Sequence, residues 1–385
     1  MKPTIDPDFT RQTLVDLVQI NSINPHLSPD GPGEAAIGAY VAGALQDMGL
    51  EVTTYDLGSN RVNVVGRLKG AGNGRSLLLN AHMDTVGVGG MADPFGAVVR
   101  DGRLYGRGAQ DMKGSLAAMM AAVRALADSG VPLGGDVLLT AVADEEYASI
   151  GTDDLIRRLT ADAAIVTEPT DMRLCRAHRG FIWFDVATTG RAAHGSRYQE
   201  GIDANMHMGR FLAELEKLSQ ELIQRPPHPL AGPPSLHASL LHGGSEISVY
   251  AAHCRLKIER RTMPGETVAQ ATAELQAIID RLAAADPTFQ ASVHPFFDRD
   301  AFAVAANTPI VGALEKAMTA VLPAPPTHTG ATFWTDAAIL AAAGIDTAVI
   351  GPIGAGLHSD DEWVEVQSVL DFAQILAETA VIFCK

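Results

Sequence analysis

Five short clusters in this 385-residue chain carry residue types able to do chemistry. The first is His82-Met83-Asp84, directly after the apolar run Ser76–Ala81. A metal-bound histidine usually gives its other ring N–H to a carboxylate, a role open to Asp84; a strand-end histidine followed by a turn aspartate is the plainer alternative. The second cluster runs from Gly106 to Gly114 and contains Asp111 just ahead of a helical pattern. Aspartate there also suits an N-cap, and the glycines lack the G-x-G-x-x-G spacing of a dinucleotide site. The third is Asp144-Glu145-Glu146, at the end of Asp136–Ala143. Acids that follow a buried strand are costly to desolvate unless something positive meets them. A divalent cation would offset that cost, with one glutamate as ligand and its neighbour accepting a proton from water; a solvated acidic loop is the alternative. Glu168-Pro169-Thr170 follows the apolar run Ala163–Val166, and His358 lies in the Gly-rich stretch Gly354–Glu362. Jointly they form a His/carboxylate set, the donor chemistry of zinc or a similar first-row metal rather than the all-oxygen shell of magnesium or calcium.

Most of these clusters share an address, the end of a predicted strand, which is where open α/β sheets bind ligands. Strands are expected at Val52–Tyr55, Val62–Leu68, Ser76–Ala81, Asp136–Ala143, Ala163–Val166 and Thr347–Ile350, and helices at Phe9–Ile20, Glu34–Met48 and Lys113–Ala127. Runs apolar throughout, alternating with helices, predict an α/β domain whose mostly parallel sheet is flanked by helices on both faces. The pattern changes near residue 178. Phe181–Thr188 alternates as a half-buried antiparallel strand does, and it is followed by a helix at Asp203–Gln224, a Pro-rich stretch, a strand at Cys254–Arg260 and a helix at Thr267–Ala284. The expected organisation is therefore a discontinuous α/β domain of residues 1–177 and 293–385, with an α+β domain of residues 178–292 inserted in it.

Composition narrows the partners. Asp and Glu outnumber Lys and Arg by 45 to 29, a net charge of −16, which argues against nucleic acid or an anionic membrane as partner. The longest apolar run near the C-terminus, Ala337–Ile345, is far short of the ~20 residues of a membrane span. Three scattered cysteines, Cys175, Cys254 and Cys384, include no CxxC pair, and no apolar leader follows Lys2, so a reducing, cytoplasmic setting is expected.

The ordered set His-Met-Asp, Gly-Ala-Gln-Asp-Met-Lys-Gly, Asp-Glu-Glu, Glu-Pro-Thr and Gly-Leu-His resembles the zinc-dependent acetylornithine deacetylase / succinyl-diaminopimelate desuccinylase family. Its wider group includes aminoacylases, glutamate carboxypeptidases and dipeptidases. The likeness runs from the Leu-Val-Gln-Ile-Asn-Ser-Ile-Asn-Pro stretch, which ends at Pro25, to the Asp-Glu-Trp-Val at Asp361–Val364. It implies a di-zinc aminopeptidase-like catalytic domain and a ferredoxin-like lid or dimerisation domain. It also implies two divalent metal ions per chain, zinc first, with cobalt and manganese as alternatives. Asp111 would bridge them, His82 and Glu168 would hold one, and Glu146 and His358 the other. Glu145 would be the general base and Asp84 the partner of His82, with a cis peptide after Asp111. Gly190–Ser196 resembles the family's GxxxHxS motif, so His194 would reach the partner subunit's site in a homodimer and stabilise the tetrahedral intermediate. Arg261, before Pro-Gly, would bind a substrate carboxylate, and Gly354 would be a further substrate contact. Ser248 stands where the family usually has a substrate-contacting asparagine, a departure that bears on substrate class. Arg179, Trp183 and Trp334 are further candidates for the pocket lining.

The reaction implied is hydrolysis of the amide bond of a small N-acyl amino acid, by water that a metal activates and Glu145 deprotonates. A carboxypeptidase or dipeptidase acting on short peptides is the alternative within the same chemistry. A non-catalytic binding protein of the same fold would have no need of the complete ligand set together with Glu145.

Overall fold

The expected alternation builds two compact units in the computed structural model, which describes residues 2–385. Along the first stretch lie α1 (Pro7–Gln19), α2 (Ala35–Asp47), β1 (Glu51–Gly58), β2 (Arg61–Leu68), β3 (Leu77–His82), β4 (Val98–Arg100), β5 (Arg103–Tyr105), α3 (Gly114–Ser129), β6 (Val137–Val142), α4 (Ile150–Leu155), β7 (Ala163–Val166) and β8 (Leu174–His178). Then come β9 (Gly180–Thr189), α5 (Ala204–Gln224), β10 (Ser235–Gly243), β11 (His253–Thr262), α6 (Val268–Ala285), β12 (Gln290–Arg299) and β13 (Phe302–Ala303). The chain ends with α7 (Pro309–Val321), β14 (His328–Ala331), α8 (Ala337–Ala342), β15 (Asp346–Val349), β16 (Gly354–Ala355), β17 (Trp363–Glu365) and α9 (Val366–Phe383).

The first unit takes the chain up to Arg176 together with Val304–Thr329 and Thr335–Lys385. Its main sheet has the order β1-β2-β6-β3-β7-β15-β8. The pairings β6–β3, β3–β7 and β7–β15 are parallel, while β1–β2, β2–β6 and β15–β8 are antiparallel. The sheet is thus mixed, parallel at its centre. The antiparallel flank has a local cause: Ser59 and Asn60 take φ of 53° and 61°, which closes β1 onto β2 in a tight hairpin. Every residue of β3, β6 and β7 is buried, as strands covered on both faces must be. Helix α9 has the length and apolarity of a membrane span, yet it packs against α3 and α7 and buries Val369, Phe372, Ile375 and Leu376 in the core. The small sheet β16-β17-β5-β4 has no counterpart among the strands expected from the sequence, because strands of two or three residues leave no periodicity to read.

The second unit comprises Ala177–Ala303 and Gly330–Trp334. Its strands run in the order β10-β11-β9-β12, all antiparallel, in a βαββαβ succession, which is the ferredoxin-like arrangement. One face of the sheet supplies Ile182, Phe184, Val186, Leu256 and Ile258 to a core completed by Phe211 and Leu215 of α5 and by Leu275 and Ile278 of α6. The boundary expected at residue 292 falls inside β12, which continues to Arg299 along β9. Pro295, at the bulge between Pro295 and Phe297, conceals that strand in the sequence. Cys175, Cys254 and Cys384 are all buried.

Phe184 is fully buried in the second unit's core. Phe184→Ala should lower stability by ~3–5 kcal/mol in urea denaturation followed by circular dichroism.

Candidate metal centre

Three neighbouring parallel strands, β6, β3 and β7, end side by side, and their carboxyl ends carry the acids and the first histidine. His82 is the last residue of β3, Asp144-Glu145-Glu146 follows β6, and Glu168 follows β7. Asp111 arrives from an irregular turn, Ala109–Lys113, that leads into α3; its own φ of −119° and ψ of 91° are not helical, and the Asp111–Met112 peptide is cis. His358 arrives from the loop between β16 and β17, with φ of 57°.

The side chains converge. His82 Nε2 lies 3.0 Å from Asp111 Oδ1, 3.7 Å from Glu168 Oε1 and 3.9 Å from Glu145 Oε2. His358 Nε2 lies 3.0 Å from Glu146 Oε2 and 3.3 Å from Asp111 Oδ2, so the two Asp111 oxygens face different histidines. Ligand atoms of His82, Glu145 and Glu168 fall within 4.8 Å of one another, as do those of His82, Asp111 and Glu146. Among the described residues, Glu146 Oε1 and Glu168 Oε1 are buried without a hydrogen-bond partner. Buried carboxylate lone pairs that lack donors, beside histidine nitrogens, are the chemistry of a first-row metal site, and the residues present fit such ions.

Electrostatics point the same way. Burial, with the charge of Glu168 next, pushes Glu145 well above the usual carboxylate range. Burial and then Asp111 do the same to Glu168 and raise Glu146 to about 7. Burial works against a charged His82, but the Asp111 hydrogen bond and the charges of Glu168 and Glu145 outweigh it and raise the ring's pKa. Hydrogen bonds to Asp111 and Glu146 raise His358 to about 10. For Asp111, burial is overcome by the hydrogen bonds and charges of the two histidines, which hold it below its usual range.

Asp84 meets His82 differently from the carboxylate–imidazole bond the sequence suggests. His82 Nδ1 pairs with the Asp84 backbone carbonyl at 2.9 Å, while carboxylate Oδ1 is 3.6 Å away. That carboxylate instead accepts the Glu145 and Glu146 N–H groups, at 3.1 and 3.2 Å, and the Asn24 amide at 2.8 Å. Asp84 therefore orients the ring through its main chain and the acidic turn through its side chain.

Three buried groups at this centre carry no clear signal in the sequence. Glu362 accepts the N–H groups of Gly108, Gln110 and Asp111 at 2.9–3.0 Å and pairs with Arg107 Nη1 at 2.6 Å. It fixes the turn that presents Asp111, yet in sequence it is one acid in a run of three. Asp336 precedes α8, accepts Thr152 Oγ1 at 2.6 Å, and is raised to about 6 by burial. It is hidden next to the apolar run Ala337–Ile345. Asn24 is the third. Gly354, on β16, packs against the Asp111 turn: a Cβ there would meet Gln110 Cγ at 2.8 Å.

The second unit, taken by itself, carries the remaining candidates. His194 is exposed, its Nδ1 2.9 Å from Ser196 Oγ. Gly195 N–H donates to the Ser248 carbonyl at 2.7 Å, and His194 bridges to Val249, so the two loops run side by side. Arg261 Nε donates to Glu259 Oε1 at 2.6 Å, and the guanidinium lies 5.3 Å over the Phe181 ring. Arg179 donates to the Ala231 carbonyl, Trp183 to Glu259 and Trp334 to the Asp300 carbonyl.

Residues 78–381 match the model of peptidase family M20/M25/M40. The chain is 28% identical to N-formyl-4-amino-5-aminomethyl-2-methylpyrimidine deformylase of Bacillus subtilis, over 93% of this chain and 91% of that protein. It is also 28% identical to acetylornithine deacetylase of Myxococcus xanthus, over 97% of each. Among solved structures, an aminopeptidase from Bacillus cereus superposes with a TM-score of 0.81 at 19% identity, covering 99% of this chain and all of that one. A dinuclear metal-binding peptidase from Bacillus subtilis superposes with a TM-score of 0.76 at 15% identity, covering 98% and 99%.

Removing the Glu362 carboxylate would leave the Arg107 guanidinium buried and unpaired. Glu362→Ala should therefore cost ~3–5 kcal/mol of stability in chemical denaturation against the wild type.

Proposed function

The chain belongs to peptidase family M20/M25/M40 and is a metal-dependent hydrolase of amide bonds, and we propose that its substrate is a small N-acyl amino acid or a close analogue. The supporting observation is the Glu145 side chain, placed in a buried group with His82 and Glu168 and followed in sequence by Glu146. Such a carboxylate is situated to take a proton from a water held at the same centre. That the two curated relatives, a deformylase and a deacetylase, both match over more than nine-tenths of the chain supports an acyl amide as the bond attacked.

In this reading His82, Asp111 and Glu168 hold one cation, and Asp111, Glu146 and His358 hold the other. Zinc suits the mixed donor set, with cobalt or manganese as substitutes. When bound, the cations supply Lewis acidity that polarises the scissile carbonyl and eases deprotonation of water. Glu145 accepts the proton of the attacking water and returns it to the amide nitrogen as the C–N bond breaks, since an unprotonated amide nitrogen is a very poor leaving group. The products are a carboxylate and a free amine. Asp84 keeps the His82 tautomer fixed. Arg261 offers its guanidinium to a substrate carboxylate, with Ser248 and Gly354 as lesser contacts. His194, exposed on the second unit, donates to the developing oxyanion of a partner subunit's substrate in a homodimer. Support for pairing comes from β10, an edge strand that exposes Leu240 and Leu241. The few, scattered cysteines, none in a CxxC pair, fit a cytoplasmic enzyme.

A panel of N-formyl, N-acetyl and N-succinyl amino acids and dipeptides tests this directly. Turnover is expected on the acylated amino acids, and activity confined to dipeptides would replace the deacylase reading with a peptidase. On the best substrate, Glu145→Ala should lose about 10²–10⁴-fold in kcat while elemental analysis still finds about two metal ions per chain. Near-normal turnover would remove Glu145 as the base. Mixing His194→Ala chains with Glu145→Ala chains should restore activity through heterodimers; no recovery after demonstrated subunit exchange would show that the site is not shared.

A further inference from the structure

The turn that carries Glu145 and Glu146 is held by a polar network to which no side chain of a proposed ligand belongs. Asp144, which begins it, has φ of 72°, a left-handed conformation that aspartate adopts where local hydrogen bonds hold it. The Asp144 carbonyl accepts the N–H groups of Ala148 and Ser149. Its carboxylate Oδ1 accepts Arg61 Nη2 at 2.8 Å, and Arg61 in turn grips Glu34 with two hydrogen bonds of 2.6 and 2.8 Å. On the other side of the turn, the Asp84 carboxylate accepts the Glu145 and Glu146 N–H groups.

Asn24 joins these two halves. Its Nδ2 donates to Asp84 Oδ2 at 2.8 Å and to Asp144 Oδ1 at 2.9 Å, one hydrogen for each carboxylate. Its Oδ1 accepts the His26 N–H at 3.0 Å, so a flipped amide would set oxygen against two carboxylates. Its own N–H donates to the Thr85 carbonyl at 2.8 Å, tying the asparagine to the residue after Asp84. The side chain is wholly buried. Asparagine supplies two donors in a fixed plane without adding charge. Aspartate would remove both donors and bring a third carboxylate, and alanine would leave two buried carboxylates facing each other with nothing between them.

We infer that Asn24 is a positioning residue of the metal centre: its amide couples Asp84 to Asp144 and so sets where Glu145 and Glu146 stand relative to His82. This rests on the reading of Glu146 as a ligand and Glu145 as the base, and it adds a residue some sixty positions upstream of any proposed ligand.

The experiment compares Asn24→Ala and Asn24→Asp with the wild type and with Asn80→Ala. Asn80 is a buried asparagine inside β3 that donates to Thr140 and not to the acidic turn. Two quantities are read at a temperature where circular dichroism shows each protein folded: zinc affinity by chelator competition, and kcat and KM on whichever amide substrate the wild type hydrolyses. Outer-shell partners of metal ligands typically contribute about 10–100-fold. Both Asn24 variants should lose that much in affinity for at least one zinc ion and in kcat, with KM changing by less than about three-fold, whereas Asn80→Ala should keep both near wild type. Wild-type zinc affinity and kcat in a folded Asn24 variant, or equal losses in Asn80→Ala, would overturn the assignment. Should Asn24→Ala and Asn24→Asp fail to fold, Asn24→Ser, which keeps one donor, is put through the same two measurements: a loss in both supports the assignment, and wild-type values overturn it. If the wild type hydrolysed none of the amides tried, zinc affinity alone would decide, so failure of the substrate reading stays distinct from failure of this one.

Discussion

Carboxylates gathered in an interior must each be given a counterpart, and the first unit is organised around that requirement. Asp84, Asp111, Asp144, Glu145, Glu146, Glu168, Asp336 and Glu362 are brought into one region of low exposure. They divide by how they are compensated. Glu362 takes three backbone N–H groups and a guanidinium; Asp144 takes a guanidinium and an amide; Asp84 takes two N–H groups and an amide. These are charges satisfied by the protein itself, and they serve as fixed points. Glu146 and Glu168 each keep an oxygen that no donor reaches among the described residues. That contrast separates acids that hold the architecture from acids whose lone pairs remain available. With backbone donors directed to Glu362 and none to the buried Glu168 oxygen, the centre keeps acceptor capacity of the kind a cation can use.

The parallel centre of the sheet makes this economical. Parallel neighbours end on the same side, so one layer of polar residues at the carboxyl ends of β6, β3 and β7 is enough to bring a histidine and three acids within reach of one another. The strands themselves are apolar through both faces and lie in a close-packed core, which gives the polar layer a rigid floor. Asp111 and His358 come from irregular backbone instead. Each of these segments has a residue in the left-handed region, Gly108 at φ 82° and His358 itself at 57°. Irregular segments can be aimed where no strand ends, at the expense of needing an anchor, and for Asp111 that anchor is Glu362.

Much of this is legible in the residues alone. A histidine or acid at the end of a largely apolar run is conspicuous, because the strand before it carries no other ionisable residue; His82, the Asp144–Glu146 triplet and Glu168 stand out that way. An inserted α+β unit is legible from the change to alternating strands near residue 178, and its ferredoxin-like arrangement only through the family resemblance. What stays hidden are partners defined only by distant contacts. Asn24 pairs with Asp144 across 120 positions, and Glu362 with Asp111 across 251. Each looks locally like an ordinary loop residue, and no periodicity marks it. The end of the insertion is obscured for a different reason, a proline placed at a bulge inside β12. The Asp84–His82 contact is expected through the side chain and is made by the main chain, a distinction residue types do not encode.

The spacing of the convergent residues along the chain has a consequence for how the protein is made. The side chains that meet at the centre are numbered from His82 to His358, and the whole ferredoxin-like unit is translated between Glu168 and His358. On a ribosome, where synthesis proceeds at about 5–20 residues per second, the buried acids emerge well before their last histidine and before Glu362, the anchor of the Asp111 turn. The inserted unit can close its own antiparallel sheet during that interval, while the first unit waits with its sheet open at the position of β15. Completion of the centre is thus a late, long-range event, and the newly made chain passes through a stage in which the acids of the centre are not yet enclosed.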